Sequence, residues 1–140
     1  MNIKEANKLI SEYMYPDWVH PEDTSEHITP LLEAVGGSYA VLARLLDEDY
    51  ESLNFHNSWS SLMKVVIKIT NFKFVGDLNG DHAYFRTFGM KTKGTDLYMV
   101  RINRFKVHTA EEFIDAAYAA VVEFINWYNE NKNDDGQVSS

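Results

Sequence analysis

The run from Glu111 to Asn131 constrains this chain more than any other stretch. Plotted at ~100° per residue, it gives an apolar arc of roughly 200°, about twice what a helix lying on a single sheet uses. Phe113, Ala117, Val121, Phe124 and Tyr128 lie near the middle of that arc, and Ile114, Ala116, Tyr118, Ala120, Ile125 and Trp127 widen it. Thr109-Ala110-Glu111-Glu112 has the form of a capping box, which satisfies the first free amides and sets the start. One neighbour does not cover so wide an arc. The helix needs a second contact, either the N-terminal helix at 2–15 or a second copy of the chain.

Other elements can be read around it. Ile3, Ala6, Ile10, Tyr13 and Met14 recur at helical spacing, so 2–15 reads as an amphipathic helix. Pro16, Pro21 and Pro30 punctuate an irregular surface stretch. After Gly36-Gly37, Ser38 is placed to cap a short helix over Tyr39–Asp47. Segment 58–70 carries the β-branched run Val65-Val66-Ile67-Lys68-Ile69. Ser58 as a cap and the spacing of Leu62, Val65, Val66 and Ile69 favour a helix there. A sheet should follow: strands at Phe72–Val75, His82–Phe88 and Asp96–Phe105, with Asn79-Gly80 as a hairpin turn. Short connections between successive strands favour an antiparallel meander. On the last strand Tyr98, Val100 and Ile102 alternate with Leu97, Met99, Arg101 and Asn103.

The expected fold is therefore α/β (α+β), with a three-stranded antiparallel meander sandwiched between helices and a long C-terminal helix. At 140 residues one domain is expected, over 1–132, with 16–51 as an irregular or helical insertion and 133–140 as a flexible polar tail. With no cysteine, disulfides, thiolate metal sites and thiol nucleophiles are excluded. No apolar run reaches the ~18 residues of a membrane span. Met1-Asn2-Ile3-Lys4-Glu5 lacks the apolar core of a signal peptide, so a cytoplasmic protein is expected.

Charge is layered along the chain. Residues 1–57 carry three basic and eleven acidic side chains, 58–108 nine and three, and 109–140 one and seven. A net charge of −8 repels nucleic acid at long range and argues against general DNA or RNA binding. The basic middle suits either a local anion site or plain neutralisation of two acidic layers.

Three stretches together resemble a family of small uncharacterised phage and prophage proteins described as α-β-α sandwich domains. Asn7-Lys8-Leu9-Ile10-Ser11-Glu12-Tyr13-Met14 looks like the family's opening helix. Phe55-His56-Asn57-Ser58-Trp59-Ser60-Ser61-Leu62-Met63 is similar to its aromatic-His-x-Ser-Trp-x-x-Leu-Met motif. Tyr118 to Asn129 looks like its closing helix. The resemblance covers 2–15 and about 53–131. Ser60 stands where the family usually has Asp, Lys64 where Pro is common and Ile67 where Glu is common. The resemblance implies a fold and a phage or prophage context, and no common activity.

Catalytic signatures are sparse. There is no glycine-rich phosphate loop, and Gly36-Gly37-Ser38-Tyr39-Ala40 lacks the last glycine of a nucleophile elbow. The five histidines, His20, His27, His56, His82 and His108, form no short metal-ligand pair, and His108 is expected to pack on Phe113. Glu111, Asp115 and Glu123 read as a solvated helix stripe rather than an acid–base pair. His56, Ser58 and Trp59 read as structural, Ser58 capping the helix and Trp59 sealing its end. No metal or cofactor is expected.

The polar set most suggestive of a ligand lies on the sheet. Arg86 shares its strand face with His82, Tyr84 and Phe88, and Arg101 shares its own with Asn103 and Phe105. Should those faces coincide, arginines and aromatics would meet on a surface suited to a nucleotide-like anion. The plainer reading pairs both arginines with acids of a covering helix. The leading functional expectation is a non-enzymatic phage-type accessory protein that binds a host or phage protein, working as a homodimer. A sponge or sensor for a nucleotide-like anion, and an acidic decoy for a basic host protein, are the alternatives.

Overall fold

A computed structural model describes residues 2–22, 28–74, 85–87, 98–102, 105–131 and 138–139. The chain is mixed α/β and divides into two compact units, Met1–Phe55 and His56–Ser140.

In the first unit, helix α1 spans Ile3–Met14, started by Asn2, whose Oδ1 accepts from the Glu5 amide at 2.8 Å. Its inner face buries Ala6, Ile10 and Tyr13, as the periodicity predicts, but also Asn7 and Ser11. Asn7 is fully buried because its Nδ2 donates to the Tyr50 carbonyl at 3.0 Å. Helix α2 covers Ile28–Ala34, beginning at the end of the Pro16–Pro30 stretch expected to be irregular. Pro30 does not prevent it, since a proline in the first turn sacrifices only an amide that has no helical partner. Gly36 and Gly37 then take left-handed φ of 71° and 86°, and the Gly37 amide donates to the Leu32 carbonyl at 2.9 Å. This closes α2 in a way that side chains with a Cβ disfavour. Ser38 caps helix α3, Tyr39–Leu46, by accepting from the Val41 amide at 3.2 Å. A 3-10 turn at Glu51–Leu53 completes the unit, with Asn54 left-handed after it.

The second unit opens with α4, Trp59–Thr70, capped as expected by Ser58, whose Oγ accepts from the Ser61 amide. The helix wins over the β-branched run because Leu62, Val65, Val66 and Ile69 then share one buried stripe. The long helix, α5, spans Phe113–Asn131. Ala116, Ala117, Ala120, Val121, Phe124 and Ile125 are buried along it, and it packs against β3 (Tyr98–Ile102), β4 (His108–Ala110) and α4. A sheet and a helix together occupy the wide apolar arc, so α4 is the second neighbour it required.

The strands differ from the expected meander. Phe85–Thr87 (β2), β3 and β4 form an antiparallel sheet in that order, with Phe85 opposite Ile102 and Met99 opposite Thr109. The pairing of the second and third predicted strands is therefore observed. Lys73–Phe74 (β1) does not join them, but pairs with Val138–Ser139 (β5), within the stretch expected to be a tail. Its place is taken by His108–Ala110. The expected capping box fails for the same reason: Thr109 and Ala110 are spent on β4, where ladder pairing satisfies their backbone groups. The first helical bonds of α5 run instead from Asp115 and Ala116 to the Glu112 carbonyl. The Asn79-Gly80 turn lies outside the described residues.

Candidate functional site

The register brings the two sheet arginines together. Arg86 on β2 is the direct cross-strand partner of Arg101 on β3. The backbone register thus sets positions 86 and 101 opposite each other. Val100 and Ile102 are buried and Tyr98 meets Phe113 of α5 at 5.4 Å, which assigns the α5-facing side of β3. By alternation Arg101 and Met99 lie on the opposite side, where Thr109 opposes Met99. The Arg101 Nε is buried and has no hydrogen-bond partner among the described residues.

The other residues expected there are distributed differently. His82 and Tyr84 lie outside the described residues, as do Phe88 and Asn103. Phe105 leaves the Arg101 face altogether. Its amide turns back to the Ile102 carbonyl at 3.1 Å, ending the strand's alternation, and its ring packs on Phe124 and Trp127 at 5.8 and 5.5 Å.

At the His56-Ser58-Trp59 motif, Ser58 caps α4, and Trp59 packs on Phe113, the first residue of α5, at 5.2 Å. Phe113 in turn contacts Tyr98, so the indole closes the junction of α4, α5 and the sheet. The His56 ring meets Tyr118 edge-on at 6.2 Å. Burial pushes the Tyr118 hydroxyl up to about 12, which keeps it neutral across the physiological range. These contacts make the motif an aromatic joint.

Two arrangements escaped the sequence reading. Nε2 of His108, the residue expected to pack on Phe113, lies 2.9 Å from Oε1 of Glu123, so Glu123 is not part of a solvated stripe. Fifteen residues separate the two, and only the strand at 108–110 turns the ring toward the third turn of α5. The second is on α4. Trp59, Met63 and Ile67 remain 40%, 38% and 58% exposed, forming an apolar stripe beside the buried one. Their four-residue spacing is visible in the sequence, beside the stronger signal of the buried face at Leu62, Val65, Val66 and Ile69. Around this stripe Lys64 is exposed.

In the first unit, both ring nitrogens of the exposed His20 face carbonyls, Pro21 O and Leu46 O, each at 3.0 Å. Two acceptors are satisfied together only by the doubly protonated ring, and those bonds raise the His20 pKa above its ordinary value. An open cavity of about 390 Å³ lies beside it, lined by Asp17, Val19, Glu22, Pro30 and Leu31 among others. Among the described residues, no group of three His, Asp or Glu side chains is gathered for a metal, and no helix is long and apolar enough to cross a membrane. No family model matches the chain, and no curated protein or solved structure matches it either.

Proposed function

We propose that this protein is a non-enzymatic binding module of the phage or prophage type that works by protein contact, with the outer stripe of α4 as its contact surface. The observation that carries this reading is the exposure of Trp59, Met63 and Ile67 in one row on a helix whose other face is fully buried. Exposed apolar rows of this kind mark interaction sites, and a tryptophan at the end of one is typical of an energetic centre. The α-β-α sandwich of the resembled family belongs to the same reading, with α5 as one of its helical layers.

The partner this stripe fits first is a second copy of the chain. A two-fold axis at Met63 sets Trp59 against Ile67 of the other copy, giving a self-complementary contact with Lys64 at its rim. Such a row forms only the centre of a stable interface, which needs roughly 800 Å² from each partner. Native mass spectrometry and light scattering of the full chain test the assignment. A dimer that Met63→Glu and Ile67→Glu each convert to monomer supports it. A wild-type monomer at high micromolar concentration, or a dimer indifferent to both changes, overturns it.

A further inference from the structure

We infer that the open recess between the Asp17–Glu22 segment and helix α2 is a docking site for an arginine-bearing segment of a basic partner polypeptide. The site rests on residues of the first unit alone and does not depend on the reading of α4. Two features point to an occupant. Helix α2 has seven residues, and none of its side chains is buried. So short a helix is marginal in water unless packing covers one of its faces. Yet Ile28 is 57% exposed, and Val19, which lines the recess, is 74% exposed. The second feature is the recess itself. Its volume, about 390 Å³, falls among those of ligand-holding pockets, and its wall joins Pro21, Pro30 and Leu31 to the carboxylates of Asp17 and Glu22.

The chemistry of the occupant follows from that wall. Asp17 and Glu22 are exposed, and neither has a hydrogen-bond or ion-pair partner among the described residues. His20 also lines the recess, but its ring nitrogens face the Pro21 and Leu46 carbonyls, so it offers no donor to an anion. Two carboxylates against one imidazole leave the wall negative in either protonation state. The surroundings reinforce this, since residues 1–57 carry three basic and eleven acidic side chains and draw cations from a distance. An arginine side chain matches both parts of the wall. Its aliphatic stem packs on Leu31 and Pro30, while its weakly hydrated guanidinium forks toward carboxylate oxygens. Its chain neighbours then cover Val19 and Ile28, which a free small cation leaves wet. That uncovered apolar surface is why the occupant is a polypeptide.

The test follows the amide NMR spectrum of the full chain during titration with a blocked pentapeptide carrying one arginine between leucines. Two further probes are the same peptide with citrulline, which keeps the shape and loses the charge, and N-acetylarginine amide, which lacks the flanking residues. Saturable shifts are expected at Asp17–Glu22 and on α2. The citrulline peptide and the single amino-acid derivative should each bind roughly tenfold more weakly. Asp17→Asn and Glu22→Gln should each weaken the arginine peptide by roughly two- to fivefold, the range for exposed ion pairs. Glu5→Gln, an exposed carboxylate of α1 outside the recess, should leave the affinity unchanged. Absence of saturable shifts at millimolar peptide overturns the site. Equal binding of the citrulline peptide removes the role of charge, and equal binding of N-acetylarginine amide gives the recess to a small cation. Either result overturns the proposal. So does a loss from Glu5→Gln as large as that from Asp17→Asn, which is diffuse attraction to an acidic unit. Shifts of the same amides with protein concentration alone give the recess to a second copy, and overturn it as well.

Discussion

The two units are held together in contrasting ways. Between His56 and Ser140 the described contacts are dominated by rings: Phe72, Phe105, Phe124, Trp127 and Tyr128 meet at centroid distances from 5.5 to 6.4 Å. Between Met1 and Phe55 the helices are shorter, and side chains reach across to backbone carbonyls of other segments: Asn7 to Tyr50, His20 to Leu46. A long helix on a sheet defines its own packing by area and shape. Short helices bury too little for that, and directional bonds to the backbone fix which turn lies beside which.

That contrast is open to attack by substitution. Phe124 is fully buried at the centre of the rings, so Phe124→Ala should cost about 3–5 kcal/mol, read as lost hydrogen-exchange protection across α5. If the loss stays under ~1 kcal/mol, the rings are not what holds this unit. In the first unit Asn7→Ala removes the bond to the Tyr50 carbonyl and should cost about 1–3 kcal/mol in urea denaturation. An unchanged midpoint would leave that unit with an ordinary apolar core and erase the difference. Ser58→Ala, which strips the α4 cap, should cost about 1 kcal/mol, and Ser58→Asp should restore most of it.

Acidity separates the units more subtly. The folded-state pKa of His20 is raised because the charged ring donates to two carbonyls. Its contribution is therefore complete below the unfolded value of about 6.5 and is lost as pH rises through the folded value. Exchange protection of the amides around His20 and Leu46, taken relative to the intrinsic rate at each pH, should fall as pH rises above about 6.5 in wild type, and His20→Gln should abolish that fall. The pH dependence should persist in that variant only if another group governs it.

The sequence exposed most of this helical framework and little of its pairing. Caps and periodicity fix α1, α3 and α4 because those signals are local: Asn2, Ser38 and Ser58 each bond within three residues. Sheet partners are not local. Lys73–Phe74 pairs with residues more than sixty positions away, and Thr109 serves a ladder when its neighbours suggest a cap. The same holds for the sites. Arg86 and Arg101 were identifiable as residues, but their meeting depends on register across a loop, which side-chain pattern alone does not determine. His108 and Glu123 were each legible singly, and only the strand that replaces the predicted cap joins them.

The placement of the three tryptophans gives the protein an internal set of optical probes. Trp18 lies edge-on to the His20 ring at 6.2 Å, so its emission should follow the protonation of that imidazole. Trp59 stands on the outer row of α4, where docking of a second molecule would dry its surroundings and shift its spectrum. Trp127 sits among Phe72, Phe105 and Phe124, an asymmetric environment that gives rise to near-ultraviolet dichroism only while α5 and its neighbours remain assembled. Variants retaining one indole at a time would thus read acidity, association and core integrity as three separate signals from an unlabelled chain.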